Sequence, residues 1–287
     1  MTTLPPLSHE LPAPALRVLS RSRAFETVHG GSRIAWHAWG DPADEPVVLL
    51  HGGSGSWTHW LHNVEPIAAS GRRVVVPDLP GFGDSVAAEG IVDADGMVEP
   101  VAAGLRELLG EGAVDVVGFS FGGLLSGLIA TAQPARVRRL VLAGAPALGI
   151  PVPDLRLKEW RHLADAQARE QAHRHNLRSL MLHDPAGIDE LTVSLHAANL
   201  ARDRVRQRRL SRTDILVRSL PTLHCRVDGI WGEFDQLYAG TMDQLEGVLR
   251  RMPNFGELVR VPDAGHWVAY ENAARFNEAL LRLLALA

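Results

Sequence analysis

The sequence contains few cysteines and few lysines. Its 287 residues include one cysteine, Cys225, which excludes an intrachain disulfide and a zinc site made of several thiolates. They include one lysine, Lys158, so arginine provides nearly all of the positive charge, a bias typical of a GC-rich bacterial genome. The formal net charge is −4 and the isoelectric point about 6.3, so no overall positive field would attract a nucleic acid. We therefore expect no nucleic-acid partner.

Long apolar runs are missing as well. Nowhere do roughly 18 apolar residues follow one another, the length that a transmembrane helix needs, so we expect no membrane partner. The first 20 residues lack the basic start and apolar stretch of a signal peptide, and their prolines disfavour a continuous helix. We therefore expect a cytoplasmic protein with a loose leader over residues 1–22. Hydrophobic residues at 46% and charged residues at 22% are sufficient for a large globular core.

Short β-like runs alternate with helical stretches, which is the pattern of a mostly parallel sheet covered by helices on both faces. Strands are predicted at 23–29, 32–39, 47–53, 72–78, 114–120, 137–144, 225–232 and 257–263. Apolar residues at three- and four-residue spacing predict helices at 95–109, 121–133, 240–252 and 271–286. These elements predict an α/β fold with a mostly parallel eight-stranded sheet.

The alternation fails in one region, from about residue 150 to 220, which is charged, helical and without an evident strand. So long a departure within a compact domain is more typical of a separate helical unit than of a loop. We therefore predict a core made of residues 23–147 and 221–287, with a helical cap at 148–220.

A glycine-flanked serine lies between an apolar strand and an apolar helix, in the stretch Gly118-Phe119-Ser120-Phe121-Gly122. A serine on such a sharp turn adopts strained backbone angles and needs small neighbours, and the strain lifts its Oγ into a cleft. The next amide begins a helix, where its N–H and the helix dipole favour a developing oxyanion. A turn that merely joins strand to helix is the alternative. The flanking elements favour Ser120 as a nucleophile and the N–H of Phe121 as an oxyanion donor.

With this turn in place, the chain resembles the α/β-hydrolase fold superfamily of serine hydrolases, over all of its length after the leader except the helical segment. The resemblance implies a second oxyanion donor in the glycine-rich loop 51–55. We choose the N–H of Gly53, with Ser54 as the alternative. We give His51 and Asp78 supporting rather than chemical roles.

In this superfamily the triad follows the order serine, acid, histidine, so the base must lie late in the chain. His266 lies in the loop between the last predicted strand and the last helix, which makes it the candidate base. The acid should lie one loop earlier, where Asp235 occupies the G-x-x-D position of the family. Asp228 lies inside a predicted strand, and Asp263 is too near His266 along the chain to be its natural partner.

The resemblance implies an acyl-enzyme mechanism. His266 would accept the proton of the Ser120 hydroxyl, Asp235 would hold the imidazole in the required tautomer, and water would release the acyl group. We expect a small-molecule substrate and neither a cofactor nor a metal. His173 and His175 are two residues apart, which on a helix points them to different sides and disfavours a metal site. The sequence leaves the formation of a homo-oligomer open.

Candidate substrate-binding residues are Ser54, Trp57 and Trp267. The tryptophans, together with Trp60, border the expected cleft, and they are either core residues or walls of an apolar acyl or aryl pocket. The arginine-rich segment 202–212 is either a solvated helix face or the source of an arginine that clamps a substrate carboxylate.

Three functions remain open. The stretch Gly265-His266-Trp267, the loop after residue 50 and a helical cap resemble the meta-cleavage-product hydrolases, which cleave carbon–carbon bonds in ring-fission products. That group usually carries a polar residue before the nucleophile and an asparagine in the second glycine loop, which in this chain begins at Pro77, at the end of the fourth predicted strand. At these two positions this chain has Phe119 and Gly83. Hydrolysis of a carboxylic ester, lactone or thioester is therefore the first expectation and C–C hydrolysis the second. A ligand-binding protein that keeps the triad but turns over little is the third.

Overall fold

Eight strands form one sheet in the computed structural model, which describes residues 11–205 and 207–285. The strands are β1 (Arg23–His29), β2 (Ser32–Trp39), β3 (Glu45–Leu50), β4 (Arg72–Pro77), β5 (Val114–Phe119), β6 (Val137–Ala143), β7 (Arg226–Gly232) and β8 (Phe255–Val261). Their order across the sheet is β1-β2-β4-β3-β5-β6-β7-β8. Strand β2 is antiparallel to both of its neighbours, and the other pairs are parallel. The predicted mostly parallel, eight-stranded α/β sheet is confirmed.

Helices cover both faces of this sheet. They are α1 (Ala13–Leu19), α2 (Val64–Ala69), α3 (Ala94–Leu109), α4 (Phe121–Ala132), α5 (Ala166–Asn176), α6 (Glu190–Ala201), α7 (Ile215–Ser219), α8 (Met242–Leu249), α9 (Val268–Glu271) and α10 (Ala273–Ala285). The four predicted helices correspond to α3, α4, α8 and α10, each within about two to three residues at either end.

The central strands send their side chains alternately into two apolar layers. Val48 and Leu50 of β3 contact the layer that contains α3 and α4, whereas Val47 and Leu49 contact the layer that contains α2 and α10. Because both faces are covered, these central strands are apolar over most of their length and show no regular polar alternation. Strands β5, β7 and β8 point the same way, so the loops that follow them meet at one edge of the sheet.

The segment before β1 differs from the expected loose leader. Residues Ala13–Leu19 form α1, and the indole N–H of Trp39 donates to the carbonyl of Val18 at 3.0 Å. A proline in the first turn lacks an N–H that the helix would leave unpaired anyway, so Pro14 is compatible with this helix. The expectation is therefore wrong for α1, while residues 1–10 lie outside the described part of the chain.

The described residues between β6 and β7 contain helices α5, α6 and α7 and no strand. This agrees with the helical character expected there, while the division into a core and a cap over 148–220 stays a prediction. Within 11–205 and 207–285, no helix has the length and apolar character needed to cross a membrane.

Candidate active site

Ser120 occupies the turn between β5 and α4 with a strained backbone. Its φ of 50° and ψ of −119° lie where residues with a side chain rarely occur. Gly122 permits the close turn, because a Cβ there would lie 2.2 Å from the carbonyl oxygen of Leu50. Ser120 is half-buried, while Phe119 and Phe121 on either side are buried. The strand, turn and helix predicted around this serine are therefore present, and its side chain remains accessible.

The structure joins Ser120, His266 and Asp235 by hydrogen bonds. The Oγ of Ser120 lies 2.9 Å from Nε2 of His266. On the other side of the ring, Nδ1 lies 2.9 Å from Oδ2 and 3.0 Å from Oδ1 of Asp235. His266 and Asp235 are buried, so water competes little for these bonds. The arrangement can move a proton from the hydroxyl to the imidazole while the carboxylate orients the ring.

Asp235 is held in place by the turn that it begins. Its Oδ1 accepts the N–H of Leu237 at 2.9 Å, and the hydroxyl of Tyr238 in the same turn donates to the carbonyl of Ala145. Burial and the nearby Asp235 charge raise the pKa of Tyr238 well above its ordinary value. The phenol therefore stays protonated and continues to anchor the turn.

The two other carboxylates considered from the sequence, Asp228 and Asp263, are bonded elsewhere or exposed. Asp228 lies inside β7, where its Oδ2 is 2.9 Å from Nε of Arg226. Asp263 is exposed in the loop before the histidine. Of the carboxylates considered, the structure therefore brings Asp235 to the histidine.

Two backbone N–H groups are available beside the serine. Phe121 is the first residue of α4, so its N–H has no partner within the helix. The loop 51–55 lies against the same turn, because a Cβ on Gly52 would be 3.2 Å from Cβ of Ser120. Gly53 follows directly and is half-buried. The loop that contains Gly53 and the first residue of α4 thus lie beside the same serine, and the oxyanion role of the two N–H groups stays a prediction.

His51 and Asp78 bond to backbone groups. Nδ1 of His51 lies 2.8 Å from the carbonyl oxygen of Gly52, and burial lowers the pKa of this histidine. The two carboxylate oxygens of Asp78 accept the N–H groups of Trp57 and Asp84, each at 2.8 Å. These contacts shape the two glycine-rich loops, in agreement with the supporting roles proposed for both residues.

The first part of the arginine-rich segment, residues 202–205, is not a solvated helix face, whereas Arg209–Arg212 form a 3₁₀ turn in which Arg209 and Arg212 are exposed. Helix α6 ends at Ala201, and Oδ1 of Asp203 then accepts the N–H of Val205 at 3.0 Å. Such local side-chain bonds compete with continued helix. The helix-face expectation is therefore wrong for residues 202–205, and Arg206 lies outside the described residues.

Two arginines of this segment bond to the second glycine loop. Nη1 of Arg202 lies 3.3 Å from Oδ1 of Asp84. Nη2 of Arg204 donates to the carbonyl oxygens of Gly83 and Ser85 at 2.9 and 2.6 Å. These contacts hold the segment against the loops that surround the serine.

A third arginine, Arg208, lies beside the predicted oxyanion loop. Its Nη1 is 3.1 Å from Oδ2 of Asp203, and its Nη2 donates to Oγ of Ser54 at 3.1 Å. Ser54 in turn donates to the same Asp203 oxygen at 2.6 Å. A Cβ on Gly53 would lie 3.0 Å from Nη1. Ser54 thus serves to hold a guanidinium next to the site.

The candidate tryptophans belong to the core and do not line a cleft. Trp57, Trp60 and Trp267 have no accessible surface. Trp57 packs on Trp39 with ring centroids 5.6 Å apart, and Trp267 stacks on Tyr270 at 4.1 Å. A residue that walls an open pocket would expose part of its ring, so the substrate-binding assignment of Trp57 and Trp267 is wrong in this structure.

His173 and His175 point to different neighbours. The ring of His173 lies 5.0 Å from that of Trp160, whereas Nε2 of His175 lies 3.0 Å from the carbonyl oxygen of Arg156. Within the described ranges, no three or more His, Cys, Asp or Glu side chains are grouped so that they could hold a metal ion.

His59 belongs to this site, although no sequence motif indicated it. Nδ1 of His59 accepts the N–H of Gly52 at 3.2 Å, and the ring is buried. A short 3₁₀ turn at Trp57–Trp60, capped by Ser56, returns the chain to the glycine loop. A glycine loop followed by a serine cap could have indicated the reversal, but no motif indicated which side chain would face the loop.

Comparisons with known proteins indicate the family of this chain. A family model described as the alpha/beta hydrolase family matches residues 47–279. A hydrolase from Dechloromonas aromatica (strain RCB), named 2-hydroxy-6-oxononadienedioate/2-hydroxy-6-oxononatrienedioate hydrolase 1, is 32% identical over 84% of this chain and 86% of its own. A Burkholderia cepacia protein, named 2-hydroxy-6-oxo-6-phenylhexa-2,4-dienoate hydrolase, is 28% identical over 93% of this chain and 97% of its own.

Among solved structures, carboxylesterase CesB from Bacillus subtilis superposes with a TM-score of 0.78. The match covers 95% of this chain and 96% of the esterase, at 20% sequence identity. At that sequence identity, the similarity shows that the two proteins share a fold.

Proposed function

The chain belongs to the alpha/beta hydrolase family, and we propose that it is a serine hydrolase that cleaves a small carboxylic ester, lactone or thioester through an acyl-enzyme. The observation that carries the proposal is the hydrogen-bonded series from Ser120 through His266 to Asp235, which begins on a strained turn. A serine hydroxyl is a weak nucleophile until a base accepts its proton, and this series supplies the base and its orienting carboxylate.

In the first half-reaction, Oγ of Ser120 attacks the substrate carbonyl carbon while its proton moves to Nε2 of His266. Asp235 stabilises the resulting imidazolium through Nδ1. The C=O π electrons move onto the carbonyl oxygen, which the N–H groups of Gly53 and Phe121 stabilise. The oxyanion then collapses, His266 protonates the leaving alcohol or thiol, and the acyl group remains on the serine.

In the second half-reaction, water replaces the alcohol. His266 accepts a proton from the water as its oxygen attacks the acyl carbon, and the same two N–H groups stabilise the second oxyanion. Collapse breaks the bond between Oγ and the acyl carbon, and His266 returns the proton to Ser120. The products are a carboxylic acid and the regenerated enzyme.

Two positions near the serine favour ester-type hydrolysis over C–C hydrolysis. Phe119 is apolar and buried, with its ring centroid 5.0 Å from that of His266, so it offers a substrate no hydrogen bond. Gly83 has a φ of 49°, and a Cβ there would lie 2.0 Å from Oδ2 of Asp78. An asparagine at that position, as in the ring-fission hydrolases, therefore does not fit this loop.

C–C hydrolysis of ring-fission products is the second candidate. The two relatives described above are named as hydrolases of such dienoates, and they match 84% and 93% of this chain. Both matches extend over most of this chain, and these names support C–C hydrolysis as the second candidate.

A comparison of substrates with the wild-type protein separates the candidates. We expect kcat/KM for the best p-nitrophenyl ester of a series of increasing acyl length to exceed that for 2-hydroxy-6-oxo-6-phenylhexa-2,4-dienoate by about 100-fold. The reverse order would replace ester hydrolysis by C–C hydrolysis. Tight binding of either compound without turnover would instead indicate a ligand-binding protein.

Within this proposal, Arg208 is the arginine placed to bind a substrate carboxylate. A guanidinium carries five N–H donors. In Arg208, Nη1 donates to Asp203 and Nη2 donates to Ser54, which leaves further N–H groups for a substrate anion. The side chain is 26% exposed and lies beside Gly53. An acyl chain with a distal carboxylate could therefore reach it from the serine.

We expect Arg208→Ala to raise KM for p-nitrophenyl hemisuccinate by about tenfold, the loss of one charge-assisted contact. KM for the uncharged p-nitrophenyl valerate should change by less than about twofold. Arg212→Ala, which removes an exposed arginine of the same segment, should leave both values unchanged. Equal changes for the two substrates in Arg208→Ala would contradict a carboxylate-binding role.

A further inference from the structure

Two buried histidines hold Gly52 from opposite sides. Nε2 of His51 accepts the N–H of Leu79 at 2.8 Å, so its proton is on Nδ1, which donates to the carbonyl oxygen of Gly52 at 2.8 Å. The N–H of Gly52 points the other way and donates to Nδ1 of His59 at 3.2 Å. The two imidazoles therefore need opposite tautomers, with Nδ1 protonated in His51 and unprotonated in His59.

The peptide unit that follows Gly52 is the one that matters for the proposed chemistry. The carbonyl of Gly52 and the N–H of Gly53 belong to the same planar unit. The direction of one therefore sets the direction of the other. A rotation of Gly52 about its own φ and ψ would turn the Gly53 N–H away from the serine, and its two histidine partners oppose that rotation.

The ring of His59 is itself fixed by the structure around the serine and the histidine of the site. It lies 5.4 Å from the ring of Phe119, the residue before Ser120, and 4.8 Å from that of Trp267, the residue after His266. The indole N–H of Trp267 donates to the carbonyl oxygen of His59 at 2.9 Å. The ring also borders Gly55, where a Cβ would lie 2.3 Å from Cε1. One side chain thus contacts three of the segments that supply the proposed machinery, namely the serine turn, the histidine loop and the glycine loop.

His59 is held in its neutral form. Burial lowers its pKa well below the ordinary value, and the neighbouring His51, His196 and His266 lower it further. A protonated Nδ1 could not accept the N–H of Gly52. The lowered pKa and the observed hydrogen bond therefore both indicate a neutral ring with an unprotonated Nδ1.

We propose that His59 is a positioning residue that aims the N–H of Gly53 at the oxyanion by accepting the N–H of Gly52. The inference rests on the proposed function, because it assigns His59 to the oxyanion hole of that reaction. His59 does not touch the reacting atoms, and it acts through the glycine loop.

The kinetic test compares His59→Phe with His59→Asn on a p-nitrophenyl ester. Phenylalanine keeps a ring but leaves the Gly52 N–H buried and unpaired, whereas Oδ1 of asparagine can take the place of Nδ1. We expect His59→Phe to lower kcat by about 30-fold with KM within about threefold, since a misaimed donor loses part of the 10²–10³ that a whole donor contributes. His59→Asn should recover kcat to within about fivefold of the wild type. A kcat for His59→Phe within about threefold of the wild type, in a folded protein, would overturn the proposal.

A second measurement keeps the inference separate from the proposed function. In ¹⁵N-labelled wild type, the imidazole resonances of His59 should show an unprotonated Nδ1 and a protonated Nε2 from pH 6 to pH 8, and the Gly52 amide should shift in His59→Phe. If the wild type hydrolyses no ester and does not react with a fluorophosphonate, the proposed function fails, and these resonances alone decide the placement of His59. A proton on Nδ1 at pH 7 would overturn the proposal whatever the activity.

Discussion

Replacement of Ser120 by alanine is expected to lower kcat for p-nitrophenyl esters by on the order of 10⁵-fold or more, because no acyl-enzyme can form. The remaining rate would come from the oxyanion donors and from substrate binding, which act on a water molecule in place of the serine. The loss should leave the fold intact, since Ser120 is half-buried and its side-chain bond is to His266. Substrate binding should also persist, because alanine removes only the hydroxyl and leaves the backbone N–H groups in place.

A fluorophosphonate probe measures the same serine directly. The wild type should label with one equivalent, and Ser120→Ala should not label. The matched control is Ser126→Ala, on the same helix, whose Oγ donates to the carbonyl of Gly123 at 2.8 Å and takes no part in the proposed reaction. Labelling that persists in Ser120→Ala would show that another residue is the nucleophile. Labelling lost in both variants would point to a disturbed helix.

Replacement of Asp235 by asparagine is expected to lower kcat by about 10⁴-fold with a smaller change in KM. The carboxylate accepts Nδ1–H of His266 through both oxygens, at 2.9 and 3.0 Å. An amide can present an NH₂ group to Nδ1, which then favours the tautomer with its proton on Nε2. In that tautomer the imidazole cannot accept the proton of Ser120.

The matched control for this variant is Asp263→Asn, an identical change in the loop that carries His266. Asp263 is exposed and has a φ of 53°, a conformation that asparagine adopts readily. We expect kcat of Asp263→Asn to remain within about twofold of the wild type. Steady-state kinetics on both variants, with circular dichroism to verify folding, decides the assignment. A larger loss for Asp263→Asn than for Asp235→Asn would transfer the role of the acid to Asp263.

The sequence by itself determined the sheet and the order of the proposed catalytic groups. Short β-like runs, glycine turns and apolar helix patterns depend on neighbouring residues, so β1 and β2 have their predicted bounds and the turn at Ser120 lies where it was expected. The parallel arrangement then sends the ends of β5, β7 and β8 to one edge of the sheet. This topology explains why His266 forms hydrogen bonds with Ser120, 146 positions earlier in the chain, and with Asp235, 31 positions earlier.

Only the tertiary structure decided which side chains surround the serine. Trp57 and Trp267 sit next to the motifs in sequence, yet the packing of β2 and α9 buries them completely. The sequence indicated an arginine-rich segment but not which of its arginines would reach loop 51–55, and the contacts among Asp203, Ser54 and Arg208 decide this. His59 faces Gly52 because a 3₁₀ turn reverses the chain there. Such contacts depend on the direction in which each element leaves the sheet, which local sequence patterns do not encode.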